Sequence, residues 1–172
     1  MINRLFVLAF LLLVMNTRAQ DFPFAISLRP VADHSAPGLH SFAFGQSNEK
    51  WSIVGGRLDG LHARQPMNAF PASSNNTLLR VIDPAIGEVW MANNNSLEAG
   101  VREQLASTNM CFEQVADTLY IVGGYAYSAS SADHITFPRL TTLTVGELIE
   151  AIIDGGAIAP HIKSVIDERM AI

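Results

Sequence analysis

The chain has 172 residues, a formal net charge of -5 and a sequence pI near 5.4, with 49% of residues hydrophobic and 16% charged. This composition excludes disordered, collagen-like and coiled-coil chains, and the absence of any basic run argues against nucleic acid as a partner. A single cysteine, Cys111, leaves neither an intramolecular disulfide nor a multi-thiolate metal site.

At the start of the chain, Arg4 precedes an unbroken apolar run from Leu5 to Met15 and a polar stretch Asn16-Thr17-Arg18-Ala19. This is the layout of a secretory signal peptide. A helix of that length, at about 1.5 Å per residue, falls short of a hydrocarbon core about 30 Å thick, so no permanent membrane span is expected. Residues 1–19 are therefore read as a signal peptide cleaved after Ala19, and the protein as exported to a periplasmic or extracellular location. Gln20 to Leu39 forms an N-terminal segment.

Further along, the chain repeats itself. Phe44 to Gly56 aligns without a gap on Phe112 to Gly124 at a spacing of 68, with seven of thirteen positions matched, among them Phe, Gln, Ile, Val and both glycines. A second similarity, Thr77-Leu78-Leu79-Arg80-Val81 to Thr141-Thr142-Leu143-Thr144-Val145, follows at a spacing of 64. Each unit reads as a β-hairpin. Ser41 to Phe44 and Asn109 to Phe112 are expected as first strands, Gln46 to Lys50 and Gln114 to Thr118 as turns, and Trp51 to Val54 and Leu119 to Val122 as second strands. In the first unit a long loop, Arg57 to Asn76, leads to a strand at Leu79 to Val81. The turn Asp83-Pro84-Ala85-Ile86-Gly87 and a last strand, Glu88 to Ala92 with Trp90, complete a four-stranded antiparallel unit. In the second unit Thr144-Val145-Gly146-Glu147 has the form of a capping box, and Val145, Leu148, Ile149, Ile152 and Ile153 follow at helical spacing until Gly155-Gly156. Pro160 to Ile172 reads either as a second helix or, preferred, as a helix turning into a strand at Arg169 to Ile172.

A strand ending in Leu119-Tyr120-Ile121-Val122-Gly123-Gly124, together with Asp83 and Trp90 in the first unit, resembles the kelch repeat of β-propellers over roughly residues 38 to 145. Gly55-Gly56-Arg57 with Asp59-Gly60-Leu61-His62, and Gln104 to Met110, are similar to a branch of secreted bacterial kelch proteins. The resemblance implies an all-β fold, an incomplete kelch-type propeller of about two four-stranded antiparallel blades with a short helix after the second. Residues 40–106 would form the first blade, 107–145 a partial second, and 146–172 a helical insertion and the start of a further blade. Gly55, Gly56, Gly123, Gly124, Trp90 and Tyr120 are its structural positions. Propellers close with about four to eight blades, so two units imply a segment of a longer chain; the alternative is that copies associate through their open edges to finish a ring.

No catalytic constellation accompanies the repeat. The five histidines, His34, His40, His62, His134 and His161, show no metal-ligand spacing, and neither a Gly-x-Ser-x-Gly elbow nor a phosphate-cradling glycine loop occurs. Neither a metal nor a cofactor is therefore expected. Cys111, aligned with Ala43, reads as a small core residue. The segments after each Gly-Gly are the candidate binding loops: Arg57, Asp59, His62 and Arg64 in the first unit, and Tyr125, Tyr127, Asp133 and His134 in the second. Aromatic faces and forked donors suit a glycan or a protein ligand, although the preferred reading of these loop residues is that they are solvated and brace the blade through Arg57 and Asp59. The expected function is a non-enzymatic binding or structural module. The alternative is part of a kelch-type sugar epimerase or mutarotase acting on an acidic sugar, with Arg57, Arg64 and His62 supplying cationic and acid–base groups. Asn75 and Asn94 begin Asn-x-Ser/Thr sequons, which matter only in a eukaryotic secretory route.

Overall fold

The computed structural model describes residues 24–27, 38–60, 69–167 and 169. The signal-peptide reading, His34, His62, Arg64 and the strand expected at Arg169 to Ile172 (Arg169 itself excepted) fall outside them. The chain divides into two units, Met1–Pro30 and Val31–Ile172. In the first, residues 24–27 are exposed and belong to no helix or strand.

The second unit contains two antiparallel sheets. One is the meander β1 (Ala43–Ser47), β2 (Lys50–Val54), β3 (Leu78–Asp83) and β4 (Glu88–Asn93). The other has five strands: β5 (Thr108–Val115), β6 (Thr118–Ser128), β8 (Arg139–Thr144) and β9 (Ile162–Ile166) in that order, with β7 (Asp133–Thr136) paired to the far half of β6. Helix α1 (Ala99–Leu105) joins the sheets, and α2 (Val145–Ile153) lies between β8 and β9. The mostly β architecture and the two sheets agree with the expected fold class at that level.

The repeat is real in backbone geometry. Left-handed residues recur 68 positions apart with closely similar φ: Ser41 and Asn109 both at 57°, Asn48 and Ala116 at 49° and 51°, Gly55 and Gly123 at 65° and 70°, Gly56 and Gly124 at 88° and 95°. Such conformations are rare for residues with a Cβ, so four coincident pairs mark one supersecondary unit used twice. The hairpins are tighter than expected. Two-residue turns, Asn48-Glu49 and Ala116-Asp117, suffice because positive φ in the turn matches the strand twist. Strands β1 and β5 accordingly run three residues further, to Ser47 and Val115. The third strands align differently from the 64-residue similarity. Arg80 pairs with Ile53 as Thr141 pairs with Ile121, so Arg80 corresponds to Thr141 and not to Thr144. Hydrogen-bond register, not local likeness, decides that correspondence.

Three further expectations change. Helix α1 was not foreseen; it is capped by Glu98, whose carboxylate accepts from the Gly100 and Val101 amides at 2.9 and 3.1 Å. The N-terminus of α2 is capped from another element. Thr144 makes no side-chain cap bond; instead Asp117, in the β5–β6 turn, accepts from the Val145 amide through its carbonyl and from the Gly146 amide through Oδ1, both at 2.8 Å. After α2, Gly155 at φ 68° and the Gly156 amide bonded to Ala151 O end the helix as expected. A short 3-10 turn then delivers the strand at Ile162, earlier than Arg169, pairing with β8 as the fourth strand of the second sheet.

The core lies between the sheets and beneath α2. Ala43, Val54, Leu79 and Val81 of the first sheet, Leu119, Ile121 and Leu143 of the second, and Leu148, Ile149 and Ile152 of α2 form one buried cluster, against which Trp90 packs. Each such side chain contributes about 1.5–3 kcal/mol on burial. Tyr120, by contrast, is 41% exposed, on the far face of the second sheet. Cys111 shares that face and is exposed rather than a core residue, because its strand alternates Met110 inward and Cys111 outward with no further sheet over it among the described residues.

Candidate functional site

The segment leaving β2 is pinned before any side chain acts. The Gly56 amide donates to Ser107 O at 2.8 Å, tying the first unit to the second, and Arg57 and His40 exchange backbone bonds at 3.0 and 3.2 Å. A Cβ on Gly55 would stand 2.6 Å from that same Ser107 carbonyl oxygen, so only glycine permits the approach. Beside it Asn76 Nδ2 donates to Gly55 O and Leu78 O at 2.9 and 2.8 Å, closing the loop back onto β3.

Arg57 is fully buried and has all its guanidinium nitrogens engaged. Nε donates to Asp59 Oδ1 at 2.9 Å and Nη2 to Asp59 Oδ2 at 2.5 Å, a forked pair, while Nη1 donates to Asn75 Oδ1 at 3.2 Å. The hydrogen bonds from Arg57 hold the Asp59 carboxyl down at about 2, against a smaller opposing effect of burial. His40 Nε2 lies 3.6 Å from Asp59 Oδ1. Arg57 and Asp59 thus brace the fold.

A continuous chain of rings crosses from this brace to the second unit. The Arg57 guanidinium carbon sits 5.0 Å from the centre of the Phe70 ring, and Phe70 meets Tyr125 edge-on at 5.2 Å. Tyr125 stacks on His134 at 5.9 Å, and Tyr127 meets His134 edge-on at 5.4 Å. His134 Nε2–H donates to Phe70 O at 3.1 Å, which fixes the ring's orientation. The two segments that follow the Gly-Gly pairs therefore converge, through Phe70, a residue that no sequence motif singled out. Tyr125, Tyr127, Asp133 and His134 are not on a loop, however. They lie on the paired strands β6 and β7, with Tyr127 opposite His134 and Tyr125 opposite Thr136. Asp133 Oδ1 accepts from the His134 backbone amide at 2.7 Å, so the Asp-His dipeptide makes no dyad of side chains. Tyr127 is 37% exposed and offers the open ring of the cluster.

Other polar clusters serve the fold. Glu103 of α1 accepts from Ser128 Oγ at 2.6 Å and from the Ser130 amide and hydroxyl at 3.1 and 3.0 Å, closing the β6–β7 turn. Burial pushes the Glu103 carboxyl up, but these bonds outweigh it and its pKa lies below the usual carboxylate value. Gln104, fully buried, donates through Nε2 to Gly123 O and Arg139 O at 3.1 and 2.8 Å and accepts from Thr141 Oγ1 at 2.6 Å. Asn94 is buried with its amide nitrogen donating to Arg102 O, whereas Asn75 accepts from Arg57 Nη1 through Oδ1. Among the described residues no group of three or more His, Cys, Asp or Glu side chains is placed to hold a metal ion, and no helix is long and apolar enough to cross a membrane. An open cleft of about 540 Å³ between β4 and the end of α2, bordered by Met91, Asn93, Ser96, Ile152 and Ile158, carries no charged group.

Compared with known proteins, the sequence matches no family model and no curated protein.

Proposed function

We propose that this chain is an exported, kelch-type propeller segment that works as a binding module, recognising a glycan or a protein through the ring cluster of Tyr125, Tyr127 and His134. The observation that carries this reading is the convergence of two repeat-equivalent segments on one cluster, with Phe70 as the bridge and Tyr127 open to solvent. Partly exposed aromatic rings held by strand pairing are pre-organised, which lowers the entropic cost of binding. The kelch reading rests on the Gly-Gly strand ends, Asp83 and Trp90, and is supported by the matched backbone conformations of the two hairpins. The enzymatic alternative draws its cationic and acid–base groups from Arg57, Arg64 and His62, and of these Arg57 is engaged by Asp59 and Asn75, which favours the binding reading.

Titration of the isotope-labelled protein with neutral and acidic oligosaccharides and with extracellular protein extracts, followed by amide chemical shifts, tests the proposal. Shifts centred on β6 and β7 that vanish in Tyr127→Ala, with an unchanged melting temperature, are expected. Binding that persists undiminished in Tyr127→Ala overturns the assignment of the site.

A further inference from the structure

The two faces of the second sheet meet different surroundings. One packs into the core through Leu119, Ile121 and Leu143, all fully buried. The other is left open. Registered pairing lays its outward residues in rows across β5, β6, β8 and β9: Cys111, Val122, Leu140 and Val165 in one row, Glu113, Tyr120, Thr142 and Lys163 in the next. Val122 is 38%, Tyr120 41% and Val165 61% exposed, and Cys111 is exposed as well. A contiguous apolar patch flanked by charge is the composition of an interaction surface.

The charges of the second row stand at its two ends. Glu113 lies on the outermost strand β5 and Lys163 on the opposite outermost strand β9, both exposed. Three strand spacings of about 4.8 Å separate them, so they are out of reach of each other within the sheet. Neither side chain forms an ion pair with another described residue.

Stacking that face on itself brings the two ends together. A two-fold axis parallel to the strands, between the stacked sheets and midway between β6 and β8, keeps each row at its own level and reverses its order. Glu113 of one copy then faces Lys163 of the other, twice over, with Tyr120 over Thr142, Val122 over Leu140 and Cys111 over Val165. Sheets packed face to face lie about 10 Å apart with their strands aligned to within about 30°. A glutamate and a lysine together span that gap. With the axis turned to run across the strands, the same stacking sets Glu113 against Glu113 and Lys163 against Lys163, which like-charge repulsion disfavours. Charge thus selects one of the two aligned arrangements.

We infer that two copies of this chain associate as a closed two-fold dimer through the open face of the second sheet, with Val122 and Leu140 at its centre and a Glu113–Lys163 pair at each margin. The contact uses the same patch on both copies, so association stops at two. A patch four strands wide lies at the small end of specific interfaces, and the dimer therefore dissociates on dilution. This inference goes beyond the ligand reading and is independent of it, since neither row contains Tyr127 or His134.

The test is sedimentation velocity at low salt across a concentration series of the full chain, of Glu113→Lys, of Lys163→Glu and of the two variants mixed in equal amounts. Wild type is expected to move from the 18.7 kDa of one chain to twice that mass, and no higher, as concentration rises. Reaction of the Cys111 thiol, which faces Val165 of the other copy, slows over the same range. Each variant alone sets like charges against each other at both margins, and its dissociation constant is expected to rise at least about tenfold. The mixture recovers the wild-type constant to within about threefold, because one copy then carries two lysines and the other two glutamates. The double variant Glu113→Lys/Lys163→Glu recovers it within a single chain, which separates a lost contact from a lost fold, and far-UV circular dichroism establishes that each variant is folded. A wild-type chain that stays monomeric, growth beyond the dimer, single variants that dimerise as well as wild type, or a mixture that fails to pair each overturns the inference.

Discussion

Ala43 and Cys111 hold equivalent places in the two hairpins and meet opposite surroundings. Ala43 is wholly buried against the second sheet, whereas Cys111 is exposed on the far face of that sheet. In the folded chain, dilute enough to be monomeric, the Cys111 thiol is expected to react with a small aromatic disulfide at a rate close to that of the urea-unfolded chain, followed by thiolate absorbance. Reaction slowed by orders of magnitude in the dilute folded chain would place Cys111 in the core after all.

Arg57 is bonded through all three of its guanidinium nitrogens. Arg57→Ala strips Asp59 and Asn75 of their donor and Phe70 of its cation, and about 3 kcal/mol of stability is expected to go with them. A urea titration reads this as a lower midpoint at unchanged slope. Arg57→Lys should recover less than half, since a lysine does not fork onto a carboxylate.

The same pair sets an acid limb. Asp59 has a folded pKa of about 2 against an ordinary value of 3.8, so its contribution is complete above the unfolded value and is lost as pH falls from about 4 toward 2. Asp59→Asn should be less stable than wild type at pH 6, with the difference narrowing over that window. A difference that stays constant down to pH 2 would show that the carboxylate charge is not what matters.

The glycine pairs share dihedral angles but not neighbours, and this separates two costs. Gly123→Ala adds a Cβ whose nearest neighbour is Thr136 Cγ2 at 3.8 Å, so only the positive φ opposes it, about 1 kcal/mol. Gly55→Ala meets Ser107 O at 2.6 Å and Met110 Cε at 2.5 Å and is expected to cost a further 1–3 kcal/mol or so. Thermal melts of the two variants should rank in that order, and equal melting temperatures would contradict the close packing at Gly55.

Helix α2 supplies a similar contrast. Asp117→Ala removes its cap from a distance and should cost about 1 kcal/mol, whereas Thr144→Ala, at the position that sequence alone nominates, should leave the melting temperature nearly unchanged. The opposite ranking would show that the capping box operates.

Much of this architecture was legible in the residues because it is written locally. Gly-Gly at strand ends, alternation in Trp51 to Val54, the Asp83 turn and the apolar spacing of Val145 to Ile153 each report their own conformation. Where the reading failed, the deciding partner lay far along the chain. Pairing with Ile53 and Ile121, not local similarity, matches Arg80 to Thr141. Asp117 caps a helix 28 residues later. Helix α1 carried a signal that was passed over, Glu98 ahead of Val101 and Leu105, because it sits inside the span assigned to one β-unit. For the candidate site, Tyr125, Tyr127 and His134 were identifiable as residue types, but their union with Arg57 depends on Phe70, which no motif marks and which acquires its role only by tertiary placement.

Gln104 sits where β6 changes partner, from β8 on one side of Gly123-Gly124 to β7 on the other. At that fork the carbonyls of Gly123 and Arg139 find no strand to pair with, and the Gln104 amide serves both. The consequence concerns the order of folding. The fork leaves two polar groups stranded until α1 has docked, so the second sheet gains little by assembling ahead of the helix. Hairpin and helix should therefore consolidate in one kinetic step, with slowed refolding rather than accelerated unfolding as the mark of a lost Gln104.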